Sequence, residues 1–266
     1  MPHSAPSQRS NPLAAPGSKV MDTALAFGFG RLQVGLAAGA ADMEAVLELR
    51  AARFRSCRGG SDLDRFDPAC QHVLIRSRDD GSALAAARLR LLETPRDMAQ
   101  SYTGQFYDLG QLAASGHRLL EIGRICIAEG RMQDPDILRA LLAALTRRAV
   151  ALDADMLVGC ASFSGADVLR HAPALRHLAA RHIGPAALRP RRRCAQAVDL
   201  PEGPSERTAG LRHIPPLLRM YLGMGGWVSD HAVCDPDLDT LHVFAAVETG
   251  RIPPARLRVL QALARS

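Results

Sequence analysis

The sequence has almost no lysine and few aromatic residues. Lys19 is the only lysine, so all but one of the 33 basic residues are arginines, and aromatic residues make up 4% of the 266-residue chain. The net charge of +6 raises the question of nucleic-acid binding, but few aromatic side chains are present to stack on bases. No helix-turn-helix, zinc-finger or RNA-recognition motif occurs either. We therefore expect no nucleic-acid partner.

Paired cysteines and long apolar runs are also missing. The six cysteines are scattered, with no C-x-x-C and no histidine pair at metal-binding spacing, so we expect neither a disulfide framework nor a metal site. Free thiols are typical of a reducing cytoplasm. The apolar stretch at 24–41 is rich in glycine and interrupted by Arg31, which argues against a membrane-spanning helix. Residues 1–20 resemble no signal peptide and are predicted to be a disordered tail.

The rest of the chain alternates strand and helix patterns. Apolar runs predict strands at 31–37, 71–77, 82–93, 119–127 and 156–163, with one more within 211–248. Helical spacing predicts helices at 42–55, 133–156 and 165–182, with short helices near 216 and 254. Asp42 is the expected cap of the first helix and Asp134 of the second, and 94–117 is predicted to be a long connection. This order predicts an α/β (α+β) fold with one mixed sheet.

One buried strand carries two charges. The stretch "LLEIGRICIAEG" (119–130) is largely apolar but contains Glu121 and Arg124, with Gly123 between them. Residues three apart in a regular strand point to opposite faces, so each buried charge would need its own partner. A bulge at Gly123 would bring both charges onto one face and free a backbone N–H. Burying two charges for structure alone is costly, which favours a functional site over an edge-strand ion pair.

Three other segments carry polar groups. The loop "EGRMQDPD" leads into the strongest predicted helix, where the helix start and Arg131 could bind an anion, unless Asp134 only caps the helix. "GCASFSG" (159–165) does not match G-x-S-x-G, so we expect no nucleophilic serine there. In "SDHAVCDPDLDT" (229–240), turn formation explains the aspartates better than a metal site. Asp230 or Asp235 is more attractive as the partner of an amino group.

Several motifs, taken together, resemble the ornithine lipid acyltransferases, GNAT-like enzymes that attach a 3-hydroxyacyl chain to the α-amino group of L-ornithine. The resemblance spans roughly residues 31–248. Its motifs are "DLDRFDPACQHVLI" (62–75), "SYTGQFYDL" (101–109), "LEIGRICI" (120–127), "DILRALLAAL" (136–145), "GCASFSGAD" (159–167) and "PPLLRMYLGMGGWVSDHAVCDPDLDTLHVF" (215–244). The family is in turn similar to the acyl-homoserine lactone synthases, which also take an acyl group from acyl carrier protein.

The resemblance implies a GNAT-like fold, a mixed splayed sheet flanked by helices, in which the central parallel strands "LLEIGRICI" and "MLVGCASF" part to admit a thioester. It implies an acyltransferase domain at 21–250, with a core to about residue 200 and an extension at 205–250, followed by a helix at 251–266. The donor is expected to be an acyl carrier protein, so no cofactor is expected beyond its phosphopantetheine thioester. Arg131 and Ile137 are the expected donor-binding residues.

The resemblance also implies roles for individual residues. Glu121, Gly123 and Arg124 are the expected catalytic residues, with Glu121 as the base and an oxyanion donor near Gly123. The expected substrate-binding residues are Arg88, Asp64, Asp67, Asp230, Asp235 and Ser162. The family's "LRYRVF" reads "LRAARF" (49–54) here, so the arginine expected at Ala52 is replaced by Arg50 or Arg53, or its contact is lost.

The expected reaction is direct attack of the ornithine α-amine on a 3-hydroxyacyl thioester, without a covalent enzyme intermediate. The arginine cluster at 189–193 is either a docking surface for acidic acyl carrier protein or a solvated charge run. Two other functions stay open, an acyl-homoserine lactone synthase that uses S-adenosylmethionine and, less favoured, a basic nucleic-acid-binding protein. We expect the protein in the cytoplasm or at the periphery of the inner membrane, because the product would be an amphiphile.

Overall fold

A nine-stranded mixed sheet forms the centre of the molecule. The computed structural model describes residues 11–13, 25–55, 59–204 and 207–265, without the side chains of 207–209. Of the tail expected at 1–20, all but 11–13 lies outside the described residues. The α/β fold class is confirmed by the alternation of strands with helices packed on both sides of the sheet.

The strands follow one another along the whole described chain. They are β1 Ala26–Phe29, β2 Leu32–Leu36, β3 Gln71–Ser77, β4 Ala83–Leu92, β5 Tyr107–Asp108, β6 Leu119–Ile127, β7 Met156–Ser164, β8 Arg191–Arg192, β9 Ala197–Asp199, β10 Trp227–Asp235 and β11 Thr240–Glu248. Their order in the sheet is β1-β2-β3-β4-β6-β7-β11-β10-β9, and β5 pairs with β8 separately.

The helices range from one to nearly five turns. They are α1 Ala40–Phe54, α2 Pro95–Ala99, α3 Gly110–Ala114, α4 Pro135–Ala151, α5 Val168–Arg181, α6 Arg207–His213, α7 Pro216–Gly223 and α8 Pro254–Arg265. Short 3₁₀ turns lie at Asp67–Ala69, Thr103–Gln105 and Thr249–Arg251. In the described part of the chain, no helix is both long enough and apolar enough to cross a membrane.

Successive side chains of β6 point to opposite faces of the sheet, so neighbouring residues pack in different cores. Leu119 packs in a core with Met98 of α2 and Leu112 of α3. The next residue, Leu120, packs in the opposite core with side chains of α4 and α8. Helices therefore cover both faces of the central strands, and a residue's position along β6 decides which face it reaches.

The two central strands separate, as the resemblance implies. β6 and β7 are parallel, whereas every other described pair of neighbouring strands is antiparallel. Their pairing covers three positions and ends at Glu121 opposite Val158, although each strand has nine residues. Gly159 lies where the strands part, and a Cβ there would be 2.3 Å from the Ile122 carbonyl oxygen. Glycine is thus required at this close approach.

The bulge expected in β6 is present, one residue further along than predicted. Ala86 of β4 pairs with Cys126, and Arg88 pairs with Gly123, so β6 contains one extra residue between these pairs. The residue with the left-handed conformation is Arg124, with φ of 49°, rather than Gly123. Ion pairs hold the Arg124 side chain, and these tertiary contacts can stabilise a backbone conformation that arginine rarely adopts.

Three local predictions differ from the structure, and one strand was missed. Helix α1 begins at Ala40, and the Asp42 carboxylate accepts the Ala38 N–H and pairs with Arg76 instead of capping the helix. The connection at 94–117 contains α2, β5 and α3, whose short lengths give little periodicity. Strand β1 was not predicted. Where a single strand was predicted within 211–248, the structure has the β10–β11 hairpin.

Candidate functional site

A cavity of about 560 Å³ occupies the gap between β6 and β7. Charged and polar side chains from β4, β6 and the Thr103–Gln105 turn form one wall, and apolar side chains of α4 and α7 form the other. The size falls in the range typical of small-molecule sites. Glu121, Gly123 and Arg124, the three residues predicted to be catalytic, all border this cavity.

The acidic loop before β3 holds a fully buried arginine of α1. The Arg50 Nε donates to Asp62 Oδ2 over 2.9 Å, and its Nη1 donates to Asp67 Oδ1 over 2.7 Å. Burial alone would raise the pKa of Asp67, but hydrogen bonds from Arg50, the Asp64 backbone and Arg88 lower it to about 2. The carboxylate is therefore ionised at neutral pH. Arg50 and Arg53 were the two alternatives for the arginine expected at Ala52. Arg50 is buried, whereas Arg53 is exposed.

Two arginines from neighbouring strands meet at the same loop. Arg88 Nη1 lies 2.7 Å from Asp64 Oδ1 and 2.9 Å from Asp67 Oδ1. Arg124 Nε lies 2.8 Å from Asp62 Oδ2, and its Nη2 lies 3.3 Å from Asp64 Oδ2. The acidic loop thus fixes both guanidinium groups. The buried Nη2 of Arg88 has no hydrogen-bond acceptor among the described residues, so this guanidinium keeps capacity for an anion.

Glu121 is held by a turn that follows α2. Its Oε1 accepts the Thr103 N–H over 2.7 Å, and its Oε2 accepts the Tyr102 N–H over 3.3 Å. The Tyr102 ring lies below the guanidinium groups of Arg124 and Arg88, at 4.8 and 5.3 Å from their central carbons. This turn therefore positions the carboxylate and the arginines together. Each carboxylate oxygen retains a lone pair that can accept a further hydrogen bond.

Tyr102, Thr103 and Asp62 belong to the site but were not predicted to be site residues. They lie in the motifs "SYTGQFYDL" and "DLDRFDPACQHVLI", which contribute to the family resemblance but do not by themselves assign a role to these positions. The tight packing of the turn is visible at Gly104, where a Cβ would be 2.0 Å from the Met98 carbonyl oxygen. A sequence pattern does not report such a contact.

The remaining predicted substrate-binding residues are Ser162, Asp235 and Asp230. Ser162 is exposed and lines the cavity. Asp235 is buried, with Oδ1 accepting the N–H groups of Asp237 and Leu238 and Oδ2 at 3.5 Å from the Tyr102 hydroxyl. Neither Asp235 nor Asp230 borders the cavity.

Asp230 has partners outside the cavity, so its expected role in binding an amino group stays a prediction. Its Oδ2 forms an ion pair with Arg189 Nε over 2.9 Å, and its Oδ1 contacts His231 Nδ1 over 2.8 Å. The segment 229–235 continues β10 instead of forming a loop, and strand geometry fixes the direction in which each side chain points. Asp230 therefore binds Arg189 and His231, outside the cavity.

The start of α4 differs from the expected donor-binding site. Asp134 caps the helix by accepting the Asp136 N–H, and it also pairs with Arg31. Ile137 is fully buried in the core, so its side chain supports packing rather than donor contact. Arg131 is exposed in the preceding loop and does not border the cavity. The α4 residues that reach the cavity are Leu138 and Leu141.

The basic cluster at 189–193 is partly neutralised. Arg189 pairs with Asp230 and Arg192 pairs with Asp199. Arg191 and Arg192 form β8, which pairs with β5. These pairs reduce the positive charge available to an acidic partner, so docking of a carrier protein at this cluster stays a prediction.

The cavity offers no activated thiol on β7. Burial raises the pKa of Cys160 far above its usual range, so this thiol stays protonated. Five cysteines lie in the described residues, and all five are free thiols. The arrangement suits chemistry in which two bound substrates react directly, with Glu121 as the available carboxylate.

Comparisons with known proteins agree with this geometry. The family model described as an acetyltransferase (GNAT) domain matches residues 46–141. The L-ornithine N(alpha)-acyltransferase of Rhodobacter capsulatus is 32% identical over 233 residues, covering 82% of this chain and 90% of that protein. The enzyme of the same name from Brucella abortus is 30% identical over 246 residues, covering 84% and 86%. The structure of FeeM, an N-acyl amino acid synthase from uncultured soil microbes, shares the fold with a TM-score of 0.52 at 10% identity, covering 85% and 98%.

Proposed function

Because the chain belongs to the L-ornithine N(alpha)-acyltransferase family, we propose that this N-acyltransferase moves a 3-hydroxyacyl chain from acyl carrier protein to the α-amine of L-ornithine. The cavity between β6 and β7 is the observation that carries the proposal. One wall of the cavity is charged and suits an amino acid, and the other is apolar and suits an acyl chain. Gly123 also lines this cavity. The reaction would take place in the cytoplasm or at the inner-membrane surface, since the product is an amphiphile.

The charged wall would hold ornithine. The unpartnered Nη2 of Arg88 offers a donor to the substrate carboxylate, and Arg53 lies exposed at the edge of the cavity on the same side. Asp235 does not border the cavity, but it lies 3.5 Å from the hydroxyl of Tyr102, which does, and it is the candidate partner of the δ-ammonium group. In this arrangement the α-amine points towards Glu121 and the gap between the strands.

The reaction would be direct aminolysis of the thioester. The neutral α-amine nitrogen attacks the carbonyl carbon, the new C–N bond forms, and the C–S bond then breaks to release the thiol of the donor. Glu121 accepts the proton lost by the amine, directly or through a water molecule, and that proton is returned to the leaving thiolate. The backbone of β6 beside Gly123 is unpaired with β7, and we assign to it the N–H that stabilises the oxyanion.

The test is an assay with purified enzyme, 3-hydroxyacyl carrier protein and L-ornithine, with the product identified by mass spectrometry. Glu121→Gln should lower kcat by about 10²- to 10⁴-fold, because the amide cannot accept the proton. One amide oxygen can still accept the Thr103 N–H, so the variant should remain folded.

Glu129→Gln is the matched control, since Glu129 is an exposed carboxylate in the loop after β6, outside the cavity. It should retain the wild-type rate. A wild-type rate for Glu121→Gln would remove Glu121 as the base. An acyl-homoserine lactone formed from S-adenosylmethionine, with no acylornithine, would refute the proposed function itself.

A further inference from the structure

The wall of the cavity that faces the charged cluster is almost entirely apolar. It is formed by residues from the loop before α4, from α4 and from α7, namely Met132, Leu138, Leu141, Leu217, Leu218 and Met220. Met132 and Leu138 are 64% and 40% exposed, so the wall begins at the surface and continues inward to buried Leu141 and Leu218. Such a surface suits an alkyl chain that enters between α4 and α7.

Tyr221 is the exception in this wall. Its side chain lines the cavity and packs against both apolar cores on this side of the sheet. One of those cores contains Ile122 of β6 and the other contains Ala161 of β7, so Tyr221 spans the gap where the strands separate. This position is next to the place where the thioester carbonyl is expected.

The Tyr221 hydroxyl has no hydrogen-bond partner among the described residues. Burial raises the pKa of the phenol, so the group stays neutral and able to donate a hydrogen bond. Tyr221 is half-buried, so its hydroxyl becomes costly when a bound chain excludes water from the cavity, unless that chain supplies a partner. Of the α4 and α7 residues bordering the cavity, Tyr221 is also the one whose side chain carries a hydroxyl.

We propose that the Tyr221 hydroxyl forms a hydrogen bond with a hydroxyl group on the acyl chain and so selects hydroxyacyl donors over unsubstituted ones. The inference rests on the proposed function, which places the acyl donor in this cavity. An unsubstituted chain would shield the phenol from water and leave it without a partner, whereas a hydroxyl close to the thioester would satisfy it. Tyr221 is thus a specificity-determining residue.

The experiment is a competition between two acyl carrier protein donors of equal chain length, one with a 3-hydroxyl and one without, at equal concentration with L-ornithine. The ratio of the two products does not depend on how much of the enzyme is folded. Wild-type enzyme should favour the hydroxylated product by about 10- to 100-fold, the range for one hydrogen bond in an enclosed site. Tyr221→Phe should bring the ratio close to 1, mainly by slowing the hydroxylated donor.

Tyr102→Phe is the matched control, because it removes the same atom from the charged wall. Its product ratio should equal that of the wild type, whatever its rate. An unchanged ratio in Tyr221→Phe would overturn the inference, and so would an equal loss with both donors, which would indicate a role in the reaction itself. Wild-type enzyme that makes neither product would instead refute the proposed function.

Discussion

The buried imidazole of His242 should make the protein sensitive to acid. His242 is 1% exposed, its Nδ1 lies 3.2 Å from the Tyr107 hydroxyl, and its Nε2 has no hydrogen-bond partner among the described residues. Burial and, to a lesser extent, the neighbouring His231 lower the pKa of His242 from 6.5 to about 3. The folded protein therefore keeps this imidazole neutral at pH values where the unfolded chain protonates it.

The sign and size of the effect follow from proton linkage. Below pH 6.5 the unfolded state binds a proton that the folded state does not, so the free energy of unfolding falls as the pH falls, until about pH 3. One pH unit in this window changes the free energy by about 1.36 kcal/mol. Acidification from pH 8 to pH 5 should therefore cost about 2 kcal/mol through His242 alone.

The measurement is urea unfolding followed by circular dichroism from pH 8 to pH 5. His242→Asn keeps a side-chain acceptor near the Tyr107 hydroxyl but has no titrating group, so its loss of stability over this range should be smaller by about 2 kcal/mol. Burial also lowers the pKa of His72, but that contribution is common to both proteins and cancels in the difference. His213→Asn, at an exposed histidine of α6, should keep the wild-type slope. Equal slopes in His242→Asn and the wild type would refute the reasoning.

Two further predictions concern β7. Gly159→Ala places a Cβ 2.3 Å from the Ile122 carbonyl oxygen, so the strands must move, and we expect a loss of about 1–3 kcal/mol in urea unfolding and at least a tenfold lower rate. Gly123→Ala, whose Cβ would meet no atom within 4 Å, is the control for stability, and equal stability of the two variants would contradict the prediction. Cys160→Ser should keep kcat within about threefold, because a protonated thiol is no nucleophile. An acyl group found on Cys160 by intact-protein mass spectrometry would show otherwise.

The best-predicted elements are those with a local start signal, such as a helix cap, or with a long hydrophobic pattern. The helix expected at 133–156 is α4, with Asp134 and Pro135 at its start, and the two parallel strands were predicted almost to the residue. The elements between 94 and 117 were missed because helices of five residues depend on tertiary contacts more than on their own periodicity. Asp230 does not border the cavity, because a local cluster of aspartates does not show which side chains of β10 point away from it.

The bulge in β6 explains only part of how Glu121 and Arg124 come to share a cavity. Two buried opposite charges so close in sequence would be expected to pair and neutralise each other. In the described structure each has other partners, since Asp62 and Asp64 bind Arg124 while the backbone of Tyr102 and Thr103 binds Glu121. No ion pair joins Glu121 to Arg124 among the described residues. The acidic loop and the turn after α2 thereby keep the arginine away from the carboxylate, which leaves the Glu121 oxygens available to accept a proton from an amine.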